Sequence, residues 1–359
     1  MPDPPATAAD HLETPVPGTA LHPDDVLQLV DLAQRAPSVH NTQPWRWRLD
    51  PAGLQLFADL DRALPATDPS GRELLLSCGA VLQHLVVVAR AAGWSAQVRR
   101  FPDPADPHHL ATVDLTPAVP APGDTALAAA VAHRQTDRRA FADEPVPEGW
   151  WHQLAATAAV HRAHLVLVEP AAHRVVGQLA EAAAARIAAD PRVAAETRAW
   201  SGRPAGSPDG VPGADVPAGP DPGDVPARRF ATAELSVGVS PLPLRDGARL
   251  AVLATTGDRP LDQVEAGEAL AAVLLHATAA GLASHVVSEL VEVPDVRDRL
   301  AVEVLPPGLV PQVLVRLGRL PLHSAPLPRT GRRPAGSTID RTATAGTTPG
   351  SGTYPVRGG

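Results

Sequence analysis

RAPSVHNTQPWRWR, residues 35–48, joins turn-forming, hydrogen-bonding and aromatic residues more densely than any other stretch of the chain. It also holds the single asparagine, Asn41, in a sequence without lysine. Upstream, Val26, Leu29, Val30 and Ala33 recur at helical spacing behind Pro23, Asp24 and Asp25, which are N-terminal helix signals. Pro37 ends that helix. The loop that follows offers Ser38, His40, Asn41, Thr42 and Gln43 as donors and acceptors, and Pro44 biases Gln43 toward extended geometry. Trp45 to Leu49 alternates aromatic and charged residues, the pattern of a half-buried strand. Helix, polar loop and strand together make a ligand-binding edge, because loops held by rigid elements carry recognition. The same pattern also fits a plain polar turn, with Asn41 in left-handed geometry and two core tryptophans.

Composition sets the outer bounds. The chain has 359 residues, 44% of them hydrophobic, enough for a sizeable core in two domains or one large one. A formal net charge of -8 argues against general nucleic-acid binding, while leaving local arginine clusters able to hold a phosphate. The one cysteine, Cys78, excludes an internal disulfide and sits in an apolar run that reads as core. No Cys and His cluster has metal-ligand spacing. The N-terminal residues lack a basic segment followed by an apolar run, so the expectation is a cytoplasmic protein. The most membrane-like run, 74–92, is interrupted by Gln83, His84 and Arg90. Ser70 and Glu73 precede it at capping-box spacing, which predicts a buried helix rather than a membrane span.

In chain order, residues 1–20 read as a disordered arm. Residues 53–59 pair with the tryptophan strand across the turn at 50–53, a capped helix runs from about Gly71 to Gly93, and strands follow at 96–100 and 110–115. The order then recurs, with helices near 125–133 and 150–160 and a strand at 164–168. The register is clearest when GAVLQHLVVVARAAGWSAQV (79–98) is set over GEALAAVLLHATAAGLASHV (267–286). Gly79 matches Gly267 and Gly93 matches Gly281, all at one offset. A Pro-, Gly- and Asp-rich insertion at 201–243 has the length and composition of a lid, with Arg228, Arg229 and Phe230 to anchor its far end. An apolar strand follows at 312–317, and residues 334–359 read as a disordered tail. The halves run 21–120 and 121–333.

Arg134, Thr136 and Arg138 stand two residues apart, so an extended segment puts two guanidinium forks and a hydroxyl on one side, a set suited to a phosphate dianion. The first half has the polar loop but no such arginines. The second has the arginines, but only Ala158, Ala159, Val160 and His161 where the loop belongs. One composite site per chain follows, shared between the halves, and such interfaces commonly hold ligands.

APSVHNTQPWRW (36–47) resembles the APSxxNxQPW segment of the nitroreductase-like flavoproteins, and DPSGRELLLSCGA (68–80) resembles their Acg-type branch. The resemblance covers roughly residues 22–333. It implies an α+β fold of mixed, mainly antiparallel sheets flanked by helices, with two tandem half-domains forming an internal pseudo-dimer and hence a monomer. It implies FMN as cofactor, with Ser38, His40, Asn41 and Gln43 on the ring side and Arg134, Thr136 and Arg138 in the place of the family's RxSxR phosphate motif. Val287 and Ser288 would pass the flavin N5 edge. Arg329, Arg332 and Arg333 resemble late basic residues that close on the phosphate, although the inserted Thr330-Gly331 departs from the pattern and leaves open which of them reaches it. The implied activity is hydride transfer from NADPH or NADH, through flavin N5, to a small nitroaromatic or quinone-like acceptor, with neither nucleic acid nor membrane as partner. The alternative is an FMN storage or sequestration protein with little turnover, and a third reading is a family member that has lost its flavin.

Overall fold

The computed structural model describes residues 22–50, 53–216, 218, 228, 230, 233–235 and 246–340. The expected arm, most of the lid between 217 and 245, and residues 341–359 of the expected tail lie outside the described residues.

The first helix, α1 (Pro23–Ala33), starts on His22, whose ring accepts from the Asp24 amide while Asp25 accepts from the His22 N–H. It buries Val26, Leu29, Val30 and Ala33, the face that its spacing predicts. A 3-10 turn at 39–41 leads to β1 (Trp45–Asp50), paired antiparallel with β2 (Gly53–Ala58). Trp45 and Trp47 are fully buried and Arg46 between them is exposed. Then come α2 (Arg72–Ala91), β3 (Trp94–Arg100) and β4 (His109–Pro117), which complete an antiparallel array ordered β1-β2-β4-β3.

The rest of the chain continues with α3 (Asp124–His133), α4 (Glu148–Val160), β5 (His164–Leu167), α5 (His173–Ala189), α6 (Pro191–Trp200), and the short β6 (Ser201–Arg203) and β7 (Val211–Pro212). It closes with β8 (Arg249–Thr255), α7 (Pro260–Ala279), β9 (Ala283–Val287), α8 (Glu289–Glu292), α9 (Pro294–Val304), β10 (Val310–Gly318) and β11 (Ile339–Asp340). The second array is ordered β5-β8-β10-β9 and is antiparallel throughout. Its order matches that of the first: edge strand, inner strand, long helix, then the two remaining strands. Only β11, parallel to β1, makes the first sheet mixed.

The two long helices, α2 and α7, form the centre. An offset of 188 residues carries Arg72–Ala91 onto Pro260–Ala279. Where they cross, a Cβ on Gly79 would stand 2.0 Å from the Val264 carbonyl oxygen, and one on Gly267 would stand 2.0 Å from that of Leu76. Leu76 and Val264 are related by the same offset, so the contact is reciprocal, as a two-fold arrangement requires. No side chain fits at either glycine. The α2 helix is long and apolar enough to cross a membrane, but its side chains are mostly buried inside the fold.

Three expectations change. The Ser70–Glu73 capping box does not form: Gly71, at φ 74°, is the N-cap, and the Asp68 carboxylate accepts from the Leu74 amide at 2.9 Å. Residues 334–340 belong to the fold rather than to a tail. Thr338 accepts from the Gln34 side chain, its carbonyl accepts from Trp47 N at 2.7 Å, and Ala335 is buried. The extra material of the second half starts directly after β5, not at 201. It begins as ordered helix, with Val176, Leu179, Ala180 and Ala183 of α5 packed against Leu290, Val296 and Leu300.

The glycine crossing makes a direct prediction. In urea titrations, Gly267→Ala lowers stability by about 1–3 kcal/mol, since the added methyl meets main chain that cannot move aside. Gly149→Ala, on α4 with open space around it, leaves stability unchanged or raises it by about 0.4–1 kcal/mol. Equal effects at the two positions would mean that the helices do not cross as closely as described.

Candidate functional site

The polar loop after α1 is held in an uncommon backbone conformation. His40, Asn41 and Gln43 have φ of 46°, 54° and 50°, in the left-handed region that non-glycine residues rarely occupy. Gln43 is therefore not extended before Pro44. Its side chain is spent on local ties, donating to the carbonyls of Asn41 (3.2 Å) and Pro208 (2.8 Å) and accepting from Arg333 N at 2.9 Å. It lines neither of the two compartments described next, and its bonds latch the loop to the insertion and to Arg333. Asn41 donates to the carbonyls of Gly210 (3.0 Å) and Gly331 (3.3 Å), while its buried Oδ1 has no partner.

Two adjoining compartments open beside this loop, sharing Pro37, Ser38, His40, Thr136 and Arg138. The first is cationic. The segment 134–138 runs extended beside the start of β9, with Asp137 N donating to Ser284 O at 2.8 Å. Arg134, Thr136 and Arg138 consequently face one way into the compartment, and Asp137 turns away to pair with Arg139. Arg35, Arg329 and Arg332 join them. The groups expected from both halves of the chain thus meet in one place.

These guanidiniums lack compensation. Arg134 is 6% exposed, donates a long bond to Arg35 O at 3.3 Å, and has Nε and Nη1 buried without hydrogen-bond partners among the described residues. Arg332 donates to the carbonyls of Gly331 and Thr330 and leaves Nε unpartnered. Burial, with Arg35 adding to it, pushes Arg134 down to about 10. Burial followed by the charges of Arg134 and Arg35 pushes Arg332 down to about 9. Asp215 is the one carboxylate lining this compartment among the described residues, and Thr330 already donates to it at 2.6 Å. A buried cation without a partner is costly, so the compartment is built for an anion that arrives from outside.

The second compartment is less polar. Leu76, Leu270, Val286, Val287 and Val313 line it together with Ser288, Phe230 and four further ionisable groups: Glu73, Arg228, His285 and Glu289. Val287 ends β9, opposite Leu314, and Ser288 donates its hydroxyl to Glu292 at 2.7 Å. His40 is fully buried. Burial first, then Arg228 and Arg138, hold its pKa well below the ordinary histidine value. Arg228 Nη1 lies 2.9 Å from His40 Nε2. A guanidinium can only donate, so Nε2 accepts and the proton sits on Nδ1, which is buried and unpartnered. The insertion enters here: Arg228 pairs with Glu289 and Glu292, and Phe230 stands edge-on to His40 at 5.8 Å and under Arg138 at 5.1 Å.

No protein-family model matches the chain. Among curated proteins, it is 44% identical over 318 residues to "Putative NAD(P)H nitroreductase Rv3131" of Mycobacterium tuberculosis, covering 88% of this chain and 91% of that protein. It is 36% identical over 320 residues to "Putative NAD(P)H nitroreductase acg" of the same organism, covering 89% and 96%. The chain belongs to the nitroreductase-like family, in its Acg-type branch. Among solved structures, the Bacteroides fragilis nitroreductase with bound FMN matches 62% of this chain and 98% of that one, at 14% identity and TM-score 0.37. That likeness is too loose to argue from.

Sequence reading of this nitroreductase-family chain missed several residues of the site. Arg35 stands just before the loop in sequence and its spacing marks nothing. Glu73 reads as a helix cap, and His285 as part of a connection. Arg228 and Phe230 read as anchors of the insertion, yet both line the second compartment. Their only sequence signal is two bulky residues in a Pro- and Gly-rich stretch.

The uncompensated arginines yield a measurable outcome. Inorganic pyrophosphate raises the thermal midpoint of the wild-type chain, because a ligand of the folded state stabilises it by mass action. Arg134→Met raises the midpoint in anion-free buffer by the equivalent of about 1–3 kcal/mol and abolishes most of the response to the anion. A variant less stable than wild type under both conditions would show that Arg134 has a partner within the protein.

Proposed function

We propose that this chain is an FMN-dependent NAD(P)H oxidoreductase of nitroreductase type, folded as an internal pseudo-dimer with one composite flavin site and acting as a monomer on a small nitroaromatic or quinone-like acceptor. One observation carries the reading: buried guanidinium N–H groups of Arg134 and Arg332 stand without partners beside a donor-rich loop from the other half. The relatives' names point the same way.

The residues present fit the cofactor. Arg134, Arg138 and Arg332 would hold its phosphate, and the Thr136 hydroxyl would add a donor, as charge-assisted bonds from guanidinium forks suit a dianion. The adjoining, more apolar compartment would take the ring. There Val287 and its neighbours exclude water, and His40, neutral with its proton on Nδ1, offers a hydrogen bond without bringing a charge. FMN, when bound, supplies the hydride chemistry at N5. The protein's part is to hold, orient and desolvate.

A second reading has its own support. Arg228 and Phe230 of the insertion stand in the ring-side compartment, tied down by two carboxylates. A closed cover there favours storage of FMN over rapid exchange of nicotinamide and acceptor.

Incubation with FMN followed by desalting should leave one yellow chromophore per chain, and anaerobic NADPH or NADH should bleach it. Flavin that is retained but stays yellow with both nicotinamides would favour storage. A chain that retains none would end both readings. Arg134→Ala should weaken FMN binding by about 10- to 100-fold, as for a bond to a charged group, and Asn41→Ala by several-fold. Unchanged affinity in both would remove the composite site.

A further inference from the structure

Glu73 lies in the first turn of α2 and lines the ring-side compartment. It is 6% exposed, and both carboxyl oxygens are buried with no hydrogen-bond partner among the described residues. A buried carboxylate in that state is costly, whereas a buried carboxylic acid is tolerable. The surroundings agree. Asp68 approaches from the helix N-terminus and Glu292 from α8, and the cations facing it are Arg228 and Arg72. Each already has anionic or carbonyl partners: Glu289 and Glu292 for Arg228, and Asp258, Gln312 and the Pro311 carbonyl for Arg72. Burial first, then the charges of Glu292 and Asp68, raise the Glu73 pKa well above the ordinary carboxylate range. The group therefore keeps its proton at pH values where an exposed glutamate has lost it, and releases it as pH rises through the raised value.

We propose that Glu73 is the proton donor of the ring-side compartment, giving its carboxyl proton to an oxygen of an acceptor that takes up hydride there. This rests on the oxidoreductase reading above. The step balances for a quinone: one carbonyl oxygen or ring position receives hydride with its electron pair from flavin reduced by the nicotinamide. The Glu73 O–H bond breaks, an O–H bond forms on the acceptor, and the hydroquinone leaves. The resulting carboxylate is met by Arg228 and takes a proton back from solvent. Of the other ionisable groups lining the compartment, Arg138 and Arg228 are cations that hold their protons, and Glu289 is paired with Arg228. His40 and His285 are held neutral by burial and neighbouring arginines, and Ser288 already donates to Glu292.

The test uses the FMN-loaded full chain and Glu73→Gln, which keeps size and neutrality but cannot give up a proton. In infrared difference spectra at neutral pH, the wild type shows the carbonyl stretch of a protonated carboxyl group that the variant lacks. In stopped-flow work with a benzoquinone, the variant is reduced by nicotinamide like the wild type, but its reoxidation is slower by about 100- to 10,000-fold, the usual span for a positioned proton donor. Wild-type reoxidation slows as pH rises, and the variant loses that pH limb. If Glu73→Gln does not fold, Glu73→Asp carries the same test, with a shifted carboxyl band and a displaced pH limb. Reoxidation at the wild-type rate, or no carboxyl band assignable to residue 73, overturns the inference while leaving flavin binding and reduction intact. A wild type that retains no flavin overturns the oxidoreductase reading itself.

Discussion

Two helices that touch at glycine fix everything else in this molecule. Because Gly79 and Gly267 bring the α2 and α7 backbones to within the reach of a Cβ, the sheet behind each helix is carried close to the other. The loop after α1 and the arginines before α4 line one cavity. A bulkier contact would set the helices farther apart and draw the donors away from the cations. Arg100 adds a tie across the same interface, with its guanidinium on both oxygens of the nearly fully buried Glu268 at 2.8 and 2.9 Å. Burial raises the Glu268 carboxyl to about 7 in spite of that pairing.

How much of this was legible in the sequence depended on whether a residue's partner was local. Hydrophobic spacing marked α1, β1, α2 and α7 correctly, because their buried faces follow the helix and strand periods. The α2 and α7 matches, including the glycines, stood in register over 20 residues. The extended RxTxR segment put its three side chains on one side, as alternation demands. Other features were present but outweighed. Val176, Leu179, Ala180 and Ala183 on α5 have helical spacing, yet they sit in an alanine-rich run next to a conspicuous insertion.

What failed was long-range. Nothing near residue 334 announces that Thr338 will bond Gln34, or that Ile339 will lie beside Trp47. Two bonded residues are not an apolar pattern. Gln43 looked like a ligand contact because it is polar and follows Asn41. Its actual partners, Pro208 and Arg333, are over 160 residues away in sequence. Glu73 had capping spacing, but Gly71 took a left-handed conformation and Asp68 became the cap. Freed of that role, the Glu73 side chain points into the protein, where it has no partner.

The site's two compartments carry opposite kinds of electrostatic frustration. On the phosphate side, burial and neighbouring arginines disfavour the charge of Arg134 and Arg332. On the ring side, Glu289 and Glu292 pair with Arg228, and burial beside Glu292 and Asp68 favours the neutral form of Glu73. Both conditions are relieved by chemistry that a phosphate-bearing redox ligand would bring: negative charge at one end and demand for a proton at the other. Arg228 links the two. It holds His40 in one tautomer and screens the carboxylates, and it reaches them from the insertion.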